Sequence, residues 1–271
     1  MLKLKLLDSL QNIEMVRRSI MINMKVPDRL LDMYSSKIEC MSNNQFNEFI
    51  NSISKTDNIK SGSFSNVYFE DANAIKIYKE EPKLYSREDE LILGGKHVVL
   101  NLFSILDISH NDIIVPDKLY VVNNLLKGYK ARYVDMPTLY EINTNELLVS
   151  DIINAWIKAY DISEVFSRKN ILMYDLNETN CFLQNSDFKI CDLDFYAEEK
   201  YNQFVYENNY SLINNIFVNF IERLIFDYCV TIRDDEYLLE TRDYVDYAFD
   251  ELECMSGVHN PKTLSDIGLN L

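Results

Sequence analysis

Apolar residues recur at spacings of three and four along most of the first 50 residues, which predicts helices there. Two stretches have this spacing, LLDSLQNIEMVRRSIMI and PDRLLDMYSSKIECM. Pro27 opens the second stretch and suits the first turn of a helix. We therefore expect residues 1–50 to form a helical extension ahead of the rest of the chain.

The hydrophobic period changes from Ile59 onward, where short apolar runs alternate with polar turns. NVYF and NAIKIY are separated by four turn-favouring residues, EDAN, which predicts a β-hairpin. Helical spacing follows in SREDELILGGKHVVLNLFSIL, and three more strand-like runs come after it: DIIVP, KLYVV and GYKARYV. The pattern predicts a small strand-rich lobe with one helix over residues 51–134.

Helical spacing returns after Pro137. The run TLYEINTNELLVSDIINAWIKAYDISEVFSRKN predicts two amphipathic helices, and CFL and FKIC, on either side of QNSD, predict one β-hairpin. Two further helices are predicted by NYSLINNIFVNFIERLIFDYCV and YLLETRDYVDYAFDELECM. We expect residues 135–271 to form a larger helical lobe, which makes the fold class α+β. A cleft between two such lobes is a natural place for a ligand.

Charge and cysteine content narrow the choice of partners and compartment. The net charge of −16 repels phosphate backbones and anionic lipid surfaces, so we expect neither nucleic acid nor a membrane as partner. The start MLKLKLLDSLQNIEM is not typical of a secretory signal, and no apolar stretch approaches the ~18 residues of a membrane helix. The five cysteines contain no CxxC pair, which is typical of reduced thiols. These features predict a cytoplasmic protein.

Polar side chains stand at both open ends of the predicted CFL–FKIC hairpin. Asp175 and Asn180 precede the first strand, and Asp192 follows the second. Because paired strands lie roughly 5 Å apart, we expect the three side chains to converge. Carboxylate and amide oxygens suit Mg²⁺, which usually takes one or two carboxylates from the protein. Alternatively, Asp and Asn stand there because they favour turns and strand ends.

Two further candidates lie upstream, in IKSGSFSNVYF and AIKIY. The first is a loop of small residues around Gly62, in which backbone N–H groups could approach a phosphate. In the second, Lys76 points to the opposite strand face from its two isoleucine neighbours, and Glu88 on the following helix is a candidate partner. An ordinary turn and a solvated strand lysine are the alternatives.

The order of these features resembles the motif order of the protein-kinase-like superfamily. That family has a glycine-rich loop, V-A-I-K, a glutamate on a helix, H-R-D-x-x-x-x-N and D-F-G. The corresponding stretches here, within residues 59–225, are KSGSFSNV, AIK, SREDELIL, MYDLNETN and DLD. The resemblance implies a bilobal fold, with a small antiparallel β lobe that contains one helix and a larger helical lobe, and it implies ATP and Mg²⁺ as cofactors.

The resemblance also assigns roles to individual residues. Lys76 would hold the ATP phosphates and pair with Glu88, and Asp175 would accept or orient the hydroxyl of the acceptor. Asn180 and Asp192 would bind Mg²⁺. The remaining nucleotide-binding positions lie in the small-residue loop, its following strand and the interlobe hinge RYVD: Gly62, Ser63, Ser65, Val67, Arg132 and Val134. Asn208 stands where the family usually has an aspartate in its core helix.

Several positions depart from the family pattern. Lys60 and Ser65 replace the first and third glycines of the loop, and Asp194 replaces the glycine of D-F-G. Met173 and Tyr174 replace the histidine and arginine that precede the catalytic aspartate. A further departure is Asn177, which stands where protein serine/threonine kinases have lysine. A small-molecule phosphotransferase of the same superfamily therefore stays open beside a protein kinase.

Four interpretations of function follow from these residues. The first is an ATP- and Mg²⁺-dependent phosphotransferase that acts on a hydroxyl of a protein or small molecule. The second is a pseudokinase that senses a nucleotide or binds a partner, because the loop and the His-Arg pair are degraded. The third is transfer of AMP, and the fourth is a helical interaction protein without catalysis. Residues 1–50 are a candidate surface for a protein partner.

Overall fold

The computed structural model divides into two compact units. The structure describes the following residues of the chain: 24–55, 58–62, 64–79, 98–142, 147–198, 202–224 and 250. The first unit contains those up to residue 109, with 114–134 and 193–195, and the second contains the others. The chain is α+β in class.

A mixed six-stranded sheet forms the first unit, in the order β1-β5-β6-β4-β3-β2. Its strands are β1 Ile38–Met41, β2 Ile59–Ser61, β3 Ser65–Glu70, β4 Asn73–Tyr78, β5 Pro116–Val122 and β6 Leu125–Arg132. Its helices are α1 Asp28–Met33, α2 Asn43–Ile53 and α3 Val98–Ile105, with a 3-10 turn over Ser35–Lys37. β1 pairs with β5 in parallel, and the other pairs are antiparallel. The expectation of a purely antiparallel sheet is therefore wrong.

The strand β1 corrects the prediction that residues 1–50 are mainly helical. The run around Ile38 has apolar spacing that also fits a helix, but its backbone bonds to β5, with Ile38 opposite Leu119. Ser42 then ends the strand and caps α2 through a reciprocal capping box with Gln45. One face of α2, which includes Ile53, packs on the sheet core. These residues therefore belong to the strand-rich unit. Residues 1–23 lie outside the described part of the chain.

The strands predicted from period-two alternation are confirmed at β3, β4, β5 and β6. The β3–β4 turn uses Asp71, whose φ of 51° is left-handed, a conformation that Asp tolerates better than most residues. The predicted strand DIIVP does not form as a separate strand. Its Ile113 makes an isolated bridge to Ile190, and Pro116 already begins β5.

Gly128 allows β6 to approach β4 closely. A Cβ atom added at Gly128 would lie 2.1 Å from the carbonyl oxygen of Lys76 and 3.0 Å from the Cα of Ile77. No side chain fits into that space, so glycine is required there by the neighbouring backbone. The position matters because β4 carries a candidate functional lysine.

Two long helices and two small sheets form the second unit. They are α4 Val149–Arg168, β7 Ile171–Leu172, a 3-10 turn over Glu178–Asn180, β8 Cys181–Gln184, β9 Asp187–Ile190, β10 Ala197–Glu198 and α5 Asn202–Leu224. Trp156 of α4 stacks on Phe217 of α5, with ring centroids 5.3 Å apart, and its indole N–H donates to Asn214 at 3.2 Å. The hairpin β8–β9 and the core helix α5 confirm the sequence prediction.

The prediction of two helices between residues 138 and 170 is only half right. Thr138 begins a hydrogen-bonded turn that accepts from Glu141 and Ile142, and α4 is the one helix of the described residues there. Apart from residue 250, the predicted helix over 237–255 lies outside the described residues, as does the first part of the helix predicted over 86–106. Among the helices that are described, each is too short or too polar to cross a lipid bilayer.

Candidate functional site

Lys76 is buried on β4 and forms an ion pair with Asp194. Its side chain is 8% exposed and that of Asp194 is 0% exposed, and Nζ lies 3.0 Å from Oδ1. The ammonium also lies 5.8 Å from the centroid of the Tyr129 ring, on the neighbouring strand β6. Burying a charge is unfavourable unless it is paired, so the carboxylate explains how the lysine can occupy the interior.

Asp194 is a partner of Lys76 that the sequence analysis did not name, and the pairing of Lys76 with Glu88 stays a prediction. Glu88, the predicted partner, lies outside the described residues, whereas Asp194 comes from the third position of DLD. Residues 193–195 belong to the first unit, where Phe195 packs against Phe64 with ring centroids 5.4 Å apart. The available signal was the second aspartate of the motif, because a lysine on an inner strand face needs an anion.

The small-residue loop between β2 and β3 is closed by its own hydrogen bonds. The Gly62 amide donates to the Ser65 carbonyl at 2.9 Å, and the Lys79 amide donates to the Phe64 carbonyl at 2.8 Å. The Lys79 ammonium donates to the Ser61 hydroxyl at 2.9 Å and to the Gly62 carbonyl. Lys79 therefore places a positive charge beside the loop, a feature that sequence reasoning missed.

The other predicted nucleotide-binding positions occupy the same unit. Ser65 is buried and Val67 half-buried on β3, and Val67 lies opposite Lys76 in the β3–β4 register. Arg132 is exposed at the end of β6, and Val134 is buried two residues later. Ser63 lies outside the described residues.

In the second unit, Asp175 begins a tightly bonded loop. The side-chain amides of Asn177 and Asn180 both donate to the Asp175 carbonyl, each at 2.9 Å. The side-chain Oδ1 of Asn177 in turn accepts from the Thr179 amide at 2.9 Å and caps the 3-10 turn. These bonds fix the backbone between Asp175 and Asn180, while the Asp175 side chain stays partly exposed.

The backbone segments that carry Asn180 and Asp192 lie side by side at the open end, or mouth, of the β8–β9 hairpin, while the convergence of their side chains stays a prediction. The last register pair is Cys181 with Ile190, and the Cys191 amide donates to the Asn180 carbonyl at 3.0 Å. Asp192 follows with a φ of 61°, so the chain turns sharply there through a left-handed residue. Such backbone conformations often occur at functional sites.

The oxygen donors at this mouth fit Mg²⁺ by their chemistry. The amide nitrogen of Asn180 is used by the Asp175 carbonyl, and its Oδ1 has one long contact, 3.5 Å from Thr179 Oγ1, among the described residues. That oxygen and the Asp192 carboxylate are hard ligands of the kind that Mg²⁺ takes from proteins. No cluster of three His, Cys, Asp or Glu side chains suited to a metal occurs in the part of the chain that the structure describes.

Tyr196 brings an unexpected polar group to the same region. Its side chain is fully buried, and its hydroxyl has no hydrogen-bond partner among the residues that the structure describes. Burial raises the pKa of the Tyr196 phenol well above 10, and electrostatic interactions with Cys181 and Cys191 raise it further. The carboxylates of Asp175 and Asp192 act in the same direction. A tyrosine after a strand has no distinctive sequence signal, so this hydroxyl was not predicted.

The thiol of Cys181 does not supply a reactive nucleophile. It is completely buried, and burial raises its pKa well above 9, with smaller contributions from Cys191 and Glu178. A thiol of this kind stays protonated near neutral pH. Cys181 therefore contributes packing at the base of the hairpin.

Asn209 of α5 anchors the chain that leads to Asp175. Its Oδ1 accepts from the Met173 amide at 3.0 Å, and its Nδ2 donates to Ser167 Oγ at 3.0 Å and to the Ile171 carbonyl at 2.9 Å. Asn208, which the sequence placed in the equivalent of a core-helix aspartate, instead donates to Phe204 within its own helix. The inward residue is the second asparagine of the pair.

Comparison of the chain with models of known protein families gives no match, and comparison with curated proteins also gives none.

Proposed function

We propose that the protein is an ATP- and Mg²⁺-dependent phosphotransferase with a bilobal, protein-kinase-like fold. It transfers the γ-phosphate of ATP to a hydroxyl of a protein or small-molecule acceptor. The observation that carries this proposal is the buried ion pair between Lys76 and Asp194. Buried ion pairs add little to stability, because desolvation offsets their attraction. A cation kept charged in this way is suited to a polyanionic ligand.

The surroundings of Lys76 support a phosphate ligand. The lysine lies opposite Val67, on the strand that leaves the small-residue loop, and Lys79 adds a second ammonium at that loop. The ammonium groups of Lys76 and Lys79 supply local positive charge for a triphosphate, although the chain as a whole is strongly negative. In this assignment Lys76 binds the phosphates, as the resemblance implies.

The loop of the second unit supports the transfer step. Phosphoryl transfer depends mainly on positioning and on neutralising charge. In this assignment the partly exposed carboxylate of Asp175 would accept the proton of an acceptor hydroxyl, and its backbone is held by Asn177 and Asn180. Asn180 and Asp192 would hold Mg²⁺, which would neutralise phosphate charge.

Either Asp192 or Asp194 could be assigned as the metal-binding aspartate of D-L-D. Leu193 alone separates the two aspartates in the chain, and D-L-D does not distinguish them. Asp192 shares its hairpin mouth with Asn180, which supports the assignment from the resemblance. Asp194 is engaged by Lys76, which supports a role in holding that lysine charged.

Matched carboxylate variants of the full chain test the proposal by ADP release from Mg·ATP and by nucleotide affinity. Asp175→Ala is expected to lower ADP release about 100-fold or more while leaving affinity largely intact. Asp192→Asn, which tolerates the left-handed backbone, is expected to weaken Mg·ATP binding. Asp187→Asn is the control, because Asp187 lies exposed at the opposite end of the hairpin. Undiminished ADP release by Asp175→Ala would exclude the mechanism.

A second candidate function is a pseudokinase that binds a nucleotide without transferring phosphate. The Gly62 amide is used by a hydrogen bond inside its own loop, which favours this alternative because that amide is then not directed at a phosphate. Stabilisation of the chain by Mg·ATP without transfer of labelled phosphate, from either the α or the γ position, would favour it over catalysis.

A further inference from the structure

Tyr196 carries a buried hydroxyl at a position where the ring alone, as in phenylalanine, would fill the same space. The ring lies edge-on against Phe166, with centroids 5.1 Å apart, and the whole side chain is inaccessible to solvent. Within the described part of the chain, the hydroxyl has no hydrogen-bond partner. A buried hydroxyl without a partner destabilises the folded state, so its presence calls for an acceptor that arrives with a ligand.

The backbone places Tyr196 beside the candidate catalytic loop. In the β7–β10 pair Ala197 lies opposite Leu172, so Tyr196 continues the register toward Met173, two residues before Asp175. Asp192 lies four residues upstream of Tyr196 in the same chain segment. Strand pairing therefore places Tyr196 beside the segment that leads to Asp175, and the chain itself connects Tyr196 to Asp192.

The electrostatic environment of the phenol agrees with that position. Burial is the main cause that raises the pKa of Tyr196, and the charges of Asp175 and Asp192 are among the further causes. The hydroxyl is consequently within electrostatic range of both carboxylates and stays protonated at neutral pH. It can donate a hydrogen bond without adding charge to a site that already holds two acids.

We propose that Tyr196 is a positioning residue for the divalent cation of this site. Its O–H donates to an oxygen, such as a water on the cation, that is held between the hydroxyl and the carboxylates of Asp175 and Asp192. This inference rests on the proposed function, since it takes Asn180 and Asp192 as the cation ligands. A group of this kind orients the ligands of a metal and tunes affinity without binding the metal itself.

A purely structural role of the Tyr196 hydroxyl predicts no change in cation affinity when the hydroxyl is removed. If the hydroxyl only fills space, Tyr196→Phe removes an unpaired polar group, and the variant gains stability with no change in cation binding. If the hydroxyl donates to a cation-bound oxygen, the variant gains the same stability without ligand but loses cation affinity, so cation affinity is the measurement that separates the two roles. Phenylalanine has the shape of the tyrosine ring, so the variant is expected to fold.

The test compares wild type, Tyr196→Phe and Tyr206→Phe as full chains. Melting temperatures are measured without ligand and across titrations of MgCl₂ at fixed ATP, and Mn²⁺ affinity is measured by calorimetry. Tyr206 is an exposed tyrosine of α5 that stacks on Tyr210, so its hydroxyl is a matched control. We expect Tyr196→Phe to melt no lower than wild type without ligand, but to bind Mn²⁺ about tenfold or more weakly.

The outcomes separate this inference from the proposed function. Wild-type affinity for Mn²⁺ in Tyr196→Phe, with wild type binding the cation, overturns the role of the hydroxyl and leaves the proposed function standing. If wild type binds neither Mn²⁺ nor Mg·ATP, both are overturned. Equal weakening in Tyr206→Phe also overturns the inference, because the effect would not belong to the buried hydroxyl.

Discussion

Lys76 and Asp194 are 118 residues apart in sequence, yet their charged groups lie 3.0 Å apart within one compact unit. The pair ties a central strand of the sheet to a three-residue segment that the chain contributes from much later in its sequence. The charge of the lysine is thereby kept in the interior, where a solvated strand lysine would have turned outward. Lys76 is therefore not the solvated strand lysine that the sequence left as the alternative.

Breaking this ion pair from one side is expected to be strongly destabilising. Lys76→Met leaves the Asp194 carboxylate buried without its cation, which should lower the free energy of unfolding by about 3–5 kcal/mol. The double variant Lys76→Met/Asp194→Leu should recover most of that loss, because no charge remains buried. Denaturant unfolding of the two single variants and the double variant measures the coupling.

The exposed pair of Arg168 and Glu164 is the control for that cycle. Its atoms lie 2.6 Å apart, but the side chains are 74% and 45% exposed. Exposed pairs within a helix contribute about 0.5 kcal/mol or less. Equal coupling energies for the two pairs would contradict the importance of burial.

Gly128→Ala is expected to disrupt the contact between β6 and β4. The new Cβ would lie 2.1 Å from the Lys76 carbonyl oxygen, so the backbone must move, at about 1–3 kcal/mol or more. Gly62→Ala is the matched control, because the nearest atom to its Cβ would be the Ser65 carbonyl oxygen at 3.6 Å. Thermal unfolding of both variants checks the difference, and equal melting temperatures would count against the close approach.

Asn209 is expected to matter far more than its neighbour Asn208. Asn209→Ala removes three hydrogen bonds and leaves the Met173 amide buried without its acceptor, which should cost about 3 kcal/mol or more. Asn208→Ala changes an exposed bond within one helix and should stay within about 0.5 kcal/mol of wild type. Denaturant unfolding checks both values, and a reversed ranking would contradict the assignment of the anchor.

Tyr120 is expected to make the fold sensitive to alkaline pH. Burial raises its pKa to about 12, and Glu39 and Glu70 contribute in the same direction. The folded state therefore holds this proton more tightly than the unfolded state, whose pKa is about 10. The stabilisation is fully present below about pH 10 and is lost as the pH rises toward 12, by up to about 1.4 kcal/mol per pH unit.

Tyr120→Phe isolates that effect, because the ring can keep its contact with Phe49, 4.8 Å between centroids. Melting temperatures from pH 9 to pH 11.5 should fall less steeply in the variant than in wild type. Parallel curves would show that another group governs the alkaline loss of stability.

The strands and the β8–β9 hairpin could be predicted because their signals are local. Alternation in NAIKIY predicts β4, and polar residues around QNSD predict the hairpin that brings Asn180 to Asp192. The strand β1 escaped prediction because its four residues also continue a helical spacing, and only pairing with β5 decides between the two. Pairing with strand β5, and not local propensity, determines the conformation of that segment.

The partners at the candidate site depend on contacts that no local pattern contains. Asp194 and Asp192 are chemically identical and separated by a single residue, so only the fold shows which one contacts Lys76. Asn208 and Asn209 present the same ambiguity, which the helix resolves by turning one side chain inward. Tyr196 has the sequence pattern of an ordinary core aromatic residue. Its hydroxyl becomes a functional candidate only once the structure shows its burial and its neighbours.

The affinity of the Lys76→Met/Asp194→Leu variant for Mg·ATP tests the central claim most directly. Calorimetry of wild type and this variant, after unfolding has established that the variant is stably folded, separates nucleotide binding from stability. We predict that wild type binds Mg·ATP and that the variant binds it about tenfold or more weakly, because a charged contact to phosphate is lost. Equal affinity in the two proteins, or no binding by wild type, would contradict the claim that this buried lysine serves a nucleotide.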